Sequence, residues 1–441
     1  MYTGHWKVIS MKFYTIEEVS TLSGKSQKTI RRHIAANLLK SQKISNKYRI
    51  NEDDLKDWLQ SNPNLNDHFN DQIKFNIKND AIDYQSTPKD IDIKDLWNRN
   101  YWDNKTDSNG LTFVDLFAGA GGLSLGFVMA GFTPLASIEI AEAAVETYKY
   151  NFCETRGFKE TVESRDIRDS LVKSELLTNL KNKTVDVICG GFPCQGFSLS
   201  GNRVVYDERN SLYKDMLEIV KEIQPKFVVM ENVVGLRSML DGKIEQMIIN
   251  DYANAGYKIS VKVLNSADYG VPQQRKRVIF IGNRLNATNY HPKPLLLPKE
   301  YKTTKDAIED LMNIPDDKNF NHVITKHSDE MKERLSRVEE GKSLYENYSD
   351  SWKKCPWNQP SCTVKENHGA VNIHPKLPRV ITAREMARLQ SFPDNFIFKG
   401  AKKWQLVQIG NAVPPLLGKA IALSVEKSLS KSKEIKADSI K

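Results

Sequence analysis

Two kinds of hydrophobic pattern follow one another along this chain. Between residues 13 and 60 the period is helical: FYTIEEVSTLSG offers Thr15 as an N-cap with Glu18 three residues on, and Val19 and Leu22 then share one helical face. Gly24 breaks that pattern. KSQKTIRRHIAANLL restarts it after Ser26, with Ile30, Ile34 and Leu38 on the apolar side and Lys28, Arg31 and Arg32 on the other. Two short helices joined at a glycine, the second one basic, predict a helix-turn-helix. KSQKISNKYRINEDDLKDWL then alternates as a two-stranded wing would and ends in a third helical stretch.

From residue 111 the pattern becomes one of short apolar runs, each ending in a loop of small or polar residues. TFVDLFAGAGGLSLGFVMAGF reads as a strand (Thr112 to Phe117), a small-residue loop (Ala118 to Gly122) and an apolar helix ending near Gly131, the first half of a βαβ unit. PLASIE is the next strand, VDVICGG another, and KFVVMENV follows a helix of roughly residues 210 to 222. Strands alternating with helices predict an α/β fold around a mostly parallel sheet. Between the two patterns, from Pro63 to Gly110, Asn and Asp dominate. A linker packing partly on a neighbour is expected there, because Phe75, Ile77, Trp97 and Trp102 are unusual in a solvated tether.

Composition narrows the picture modestly. A chain of 441 residues with 40% hydrophobic and 27% charged residues should divide into two or three globular domains. No run of about 18 apolar residues is present and the start MYTGHWKVIS lacks a secretory pattern, so no membrane span is expected and the cytoplasm is the expected location. Five scattered cysteines without CxxC or Cys/His ligand spacing argue against a disulfide framework and against a metal site. The net charge of +9 is compatible with a polyanionic partner such as nucleic acid.

Candidate chemistry lies at the carboxyl ends of the predicted strands, where open α/β sheets bind ligands. Gly119, Gly121 and Gly122 let the backbone approach a ligand and open a helix whose amides favour a negative group. They do not fit GxGxxG, which leaves an adenosyl ligand such as S-adenosylmethionine open, beside tight strand-to-helix packing with no ligand. Glu139, twenty residues after Gly119, can accept hydrogen bonds from ribose hydroxyls.

Cys194, in GGFPCQGFS, follows the VDVICGG strand, whereas Cys189 inside that strand reads as core. As a nucleophile Cys194 needs a helix N-terminus or a cation nearby, since a free thiol is only a few per cent thiolate at neutral pH. Glu231 reaches the same edge and, if desolvated, can hold a proton for a ring nitrogen. In DYGVPQQRKRVIFIG, Gln273 is followed by Arg275 and Arg277, which share a face of extended chain and suit either an oxyanion or a solvated basic edge.

DLFAGAGG, GGFPCQGFS, ENV, QQRKRV, RVITAREMARLQSFPDNF and GNAVPP occur in this order, and together they closely resemble the cytosine-5 DNA methyltransferases over about residues 111 to 427. The N-terminal segment resembles the winged DNA-binding domain of phage excisionases. The resemblance implies a Rossmann-like S-adenosylmethionine-dependent fold with a smaller target-recognition domain, acting on double-stranded DNA. Cys194 is then the nucleophile toward C6 of the cytosine, Glu231 the contact to N3 and the exocyclic amine, and Arg277, with Arg275 nearby, the contact at O2. Phe117, Gly119, Gly122, Glu139, Asp166, Pro193, Leu212, Asn411 and Val413 are the implied cofactor-binding positions. Asp166 departs from the family in following Arg165 where glycine is common.

The expected organisation is a winged helix-turn-helix at 11–62, a linker at 63–110, the catalytic domain at 111–283, a target-recognition region at 284–378, a catalytic return at 379–427 and a flexible tail at 428–441. Specificity is expected between about 290 and 355, with Lys326, Arg334, Arg337, Lys353, Lys354 and Lys365 as candidates for base or phosphate contact. Catalysis is expected of a monomer, with a dimer on operator DNA if the N-terminal domain binds the gene's own promoter. Two alternatives remain at this point: a methyltransferase acting on tRNA, and a purely DNA-binding repressor.

Overall fold

The computed structural model describes residues 13–23, 25–44, 47–51, 54–55, 57–58, 107–193, 212–345, 352–365 and 371–438. Gly24, the four aromatic and apolar linker positions and Cys194 lie outside the described residues. The chain divides into two compact units, Met1–Asp90 and Ile91–Lys441.

The first unit runs β1 (Phe13–Tyr14), α1 (Ile16–Ser23), α2 (Gln27–Ala35), β2 (Gln42–Ile44) and β3 (Lys47–Asn51). The Ser26 hydroxyl caps α2 by accepting the Thr29 N–H at 3.2 Å. β3 pairs antiparallel with both β1 and β2, forming the wing. Val19, Ile30, Ile50 and Trp58 meet in its core, and the Trp58 indole N–H donates to His33 Nδ1 on α2 at 3.1 Å. Lys28, Arg31 and Arg32 are exposed, as the pattern predicts. Leu38 is corrected: α2 ends at Ala35, the helical period stops there, and Leu38 is 64% exposed while Leu39 enters the core instead.

The second unit is built on β4 (Thr112–Leu116), α3 (Gly122–Met129), β5 (Thr133–Glu139), α4 (Glu142–Tyr148), β6 (Thr161–Ser164), α5 (Ser170–Leu180), β7 (Val187–Gly190), α6 (Leu212–Ile223), β8 (Phe227–Val233), α7 (Lys243–Asn254), β9 (Lys258–Asn265) and β10 (Lys276–Asn283). Further along lie α8 (Asp329–Arg337), α9 (Ala383–Leu389), α10 (Lys402–Asn411) and α11 (Pro415–Asp438). The sheet order is β6-β5-β4-β7-β8-β10-β9. β6 through β8 are parallel, while β10 is inserted antiparallel to both β8 and β9.

Strand residues alternate between two cores. Phe113, Val187, Val229 and Ile279 face α3, α4 and α11, whereas Val114, Ile188, Val228 and Val278 face α5, α6 and α7. Both faces being covered explains why these strands read as continuous apolar runs. Cys189 is buried in the first core, as expected.

One expectation fails here. The tail does not fray from residue 428: α11 continues to Asp438, Leu429 is in the core, and the Ser428 hydroxyl accepts the Tyr290 N–H at 3.1 Å. An 18-residue window within Lys402–Ser432 is apolar enough by composition to cross a membrane, with a mean hydropathy of 1.3, but 72% of it is buried inside the protein, so it is a core element. Ile308, Leu311, Trp357 and Val364 pack into the same cluster as Phe113 and Ile279.

Candidate active site

β8 and β10 bring two charged side chains together because their antiparallel register places Glu231 opposite Ile279 and Arg277 opposite Val233, a diagonal on one face. The Arg277 Nε lies 2.8 Å from Glu231 Oε1, and both side chains are largely buried. A charged pair withdrawn from water is held in one geometry, and the unused oxygen of Glu231 remains an acceptor. The loop leaving β7 passes directly over this carboxylate: a Cβ placed on Gly191 would sit 3.0 Å from Glu231 Oε2. Asn232 fixes the same loop by donating from Nδ2 to the Phe192 carbonyl at 2.8 Å. Pro193 is exposed, and the residue after it, Cys194, lies outside the described residues.

Beside this edge, β4 ends in a loop suited to a nucleoside. Phe117 and Gly119 both have positive φ, +67° and +55°. For phenylalanine that backbone is strained by about 1 to 3 kcal/mol, a strain that recurs at ligand clamps. A Cβ on Gly119 would meet no atom within 4 Å, so the space above the loop is open. Glu139 closes it: Oε2 accepts the Gly119 N–H at 2.8 Å, and Oε1 accepts the N–H groups of Ile140 at 3.0 Å and Ala141 at 2.8 Å. Three amides fix the carboxylate and leave acceptor capacity for a diol.

Asp166, past the end of β6, is held below the usual carboxylate range chiefly by hydrogen bonds from the Arg168 guanidinium. Beneath the loop Asp115 accepts the Ser124 hydroxyl at 2.6 Å, and burial pushes its carboxyl up to about 7. Glu160, meeting Ser137 and Tyr148 in the same interior, is pushed by burial up to about 8.

The family model described as C-5 cytosine-specific DNA methylase matches residues 111–427. The chain belongs to the C-5 cytosine-specific DNA methylase family. A helix-turn-helix domain model matches residues 13–63 of the methylase. Its sequence is 40% identical over 332 residues to the type II methyltransferase M1.HphI of Haemophilus parahaemolyticus, covering 72% of this chain and 87% of that protein. It is 36% identical over 372 residues to M.DdeI of Desulfomicrobium norvegicum, covering 71% and 88%. Among solved structures, a candidate DNA modification methyltransferase encoded in an E. coli prophage superposes with a TM-score of 0.60 at 28% identity, over 73% of this chain and all of that one. DNMT2 of Spodoptera frugiperda, at 18% identity and a TM-score of 0.51, shares the fold. The methylase is thus a DNA cytosine-5 methyltransferase that uses S-adenosylmethionine.

In the methylase several anticipated residues take other places. Arg275, just ahead of β10, is 2% exposed and is taken up by backbone carbonyls, donating to Val364 O at 3.1 Å, Gly410 O at 3.0 Å and Ala412 O at 3.1 Å. Burial and the neighbouring Arg277 depress its basicity, while Glu231 opposes them. Gly122 is glycine for packing: a Cβ there would stand 2.2 Å from the Val413 carbonyl. Val413 is buried by that contact, Asn411 is exposed at the end of α10, and Leu212 is half-buried at the start of α6.

The target-recognition candidates separate as well. Lys354 is a staple, its ammonium donating to the Ser336 and Val338 carbonyls at 3.3 and 2.8 Å at the end of α8. Arg337 pairs with Glu333 on α8, and Arg334 stands over the Tyr345 ring at 5.7 Å. Lys326 is exposed, whereas Lys353 and Lys365 are half-buried. Sequence reasoning passed over Asn232 and Gln390. Asn232 was visible inside the quoted ENV, but the partner of Gln390 lies far away in the chain.

Proposed function

We propose that the enzyme methylates C5 of a cytosine flipped out of a short specific duplex sequence, and that it is the modification arm of a type II restriction system, working on cytoplasmic DNA. The observation that carries this reading is the Glu231–Arg277 pair at the sheet edge, directly beneath the loop that leads into Cys194. C5 lies within the base stack of a duplex, so the nucleotide must be rotated out, at a few kcal/mol of lost stacking. In the pocket the Cys194 thiolate bonds to C6, and the displaced electron pair develops at C5. Glu231 faces N3 and accepts from the exocyclic amine, while Arg277 faces O2; both offset charge building on the ring. With that pair bonded to the methyl group, loss of the C5 proton to water re-forms the C5–C6 double bond and expels the Cys194 thiolate from C6.

Phe117, Gly119, Glu139, Asp166, Asn411 and Val413 are the residues that would hold S-adenosylmethionine, which when bound supplies the methyl group. The open space over Gly119 and the fixed Glu139 carboxylate support that assignment. Catalysis by a monomer follows from one such site per chain.

The test is bisulfite sequencing of the genome of a host that lacks cytosine methylation and expresses this chain. Conversion-resistant cytosines confined to one short motif are expected and also reveal the specificity. Complete conversion, with the protein folded and cofactor-bound, would move the assignment to tRNA.

A second role is favoured by one observation: the exposed Lys28, Arg31 and Arg32 on α2, a basic stripe on the second helix of the motif. We propose that this unit binds the gene's own promoter as a dimer.

A further inference from the structure

Arg275 is a fully buried cation, and among the described residues no carboxylate pairs with it. Its guanidinium is met instead by carbonyls at the end of α10, Gly410 O and Ala412 O, together with Val364 O. The last turn of a helix leaves its carbonyls unpaired and carries partial negative charge, so a desolvated cation is stabilised there. Gln390 joins from α9, donating to Ile409 O at 2.8 Å and Ala412 O at 3.3 Å. Gln273 completes the knot, donating to the Gln390 side chain at 2.9 Å and accepting the Val364 N–H at 3.0 Å. Four segments, 273–275, 364, 390 and 409–412, are tied at one point.

The two ends of this knot are the two halves of the site. Arg277, two residues further on in β10, pairs with Glu231. The turn after α10 carries the Val413 carbonyl against Gly122 at the start of α3, where the adenosyl loop ends. We infer that Arg275 is a positioning residue that sets the 410–413 turn against the cofactor loop from the base-binding strand, and so couples cofactor affinity to the geometry of Arg277. This rests on the site assignment above.

The experiment compares Arg275→Lys and Gln390→Met with the full-length wild type. Affinity for S-adenosylhomocysteine is measured by calorimetry, with and without substrate DNA, alongside melting temperature and turnover. A lysine keeps the charge but cannot fork onto three carbonyls. Both variants should bind the nucleoside at least tenfold more weakly and show no gain in affinity when DNA is added, whereas the wild type gains, and Gln390→Met should keep turnover at saturating cofactor within threefold. Unchanged affinity, or a fall in turnover alone, overturns the inference by making Arg275 either inert or a direct contact to the base. If Arg275→Lys does not fold, Gln390→Met is judged on the same criteria. Glu231→Gln runs in parallel: wild-type turnover in that variant removes the site assignment itself, whereas its inactivity beside a wild-type-like Arg275→Lys defeats only the coupling.

Discussion

Glu231 and Arg277 face each other across β8 and β10 at 2.8 Å, at the edge of the sheet rather than in its interior. Glu231→Gln preserves the size of the side chain but removes the charge that orients Arg277. Turnover should drop on the order of a hundredfold or more, with the melting temperature shifted by only a few degrees. Single-turnover methylation of an oligonucleotide carrying the recognised sequence measures the first, and calorimetry the second.

Cys194→Ala should abolish turnover and the covalent adduct with DNA containing 5-fluorocytosine. Cys189→Ala should keep the adduct and lose about 1 kcal/mol of stability, as deletion of one small group from a packed core does. Denaturing gel electrophoresis of the adduct distinguishes the two thiols directly.

The two glycines of the adenosyl loop should respond differently to the same methyl group. Gly122→Ala drives a Cβ into the Val413 carbonyl, and the backbone there must move. A stability loss of about 1 to 3 kcal/mol should accompany weaker nucleoside binding. Gly119→Ala has open space and suffers only the positive φ, about 1 kcal/mol. Nucleoside binding measured at equal folded fraction ranks them.

Buried Asp115 keeps its proton to about pH 7 in the folded chain, against 3.8 for the free group. Between those values the native state holds a proton that the unfolded chain has released, so stability declines as pH rises through this window. Glu160, raised from 4.5 to about 8, acts in the same direction. Urea unfolding should show a less stable protein at pH 8 than at pH 5, and Asp115→Asn should flatten that slope. An unchanged slope in the variant would show that Asp115 is already ionised in the fold.

Deleting residues 1 to 62 should leave methylation of the recognised sequence intact and abolish retention of the gene's own promoter. Gel shift of the promoter fragment decides it, and equal binding by the shortened chain removes the regulatory role.

Much of this site is legible in local sequence because its parts are local. The strand, small-residue loop and helix from Thr112 to Met129 announce themselves through apolar runs and glycines, and ENV places its own carboxylate at a strand end. Arg275 is not legible in that way. Spacing of two sets it beside Arg277, but the carbonyls that hold it lie 89 to 137 residues further along. The tight packing at Gly122 is hidden for a similar reason: its neighbour is the Val413 carbonyl, far along the chain. Leu38 and the residues after 427 show the complementary failure, where helix ends are set by packing rather than by period.

The wall that Ala412 and Val413 build against Gly122 has a consequence for biosynthesis. A ribosome delivers the adenosyl loop about 290 residues before its covering turn, so a growing chain carries the base-binding edge while it still lacks one side of the cofactor pocket. A chain halted between the two is therefore an incomplete enzyme rather than a weak one.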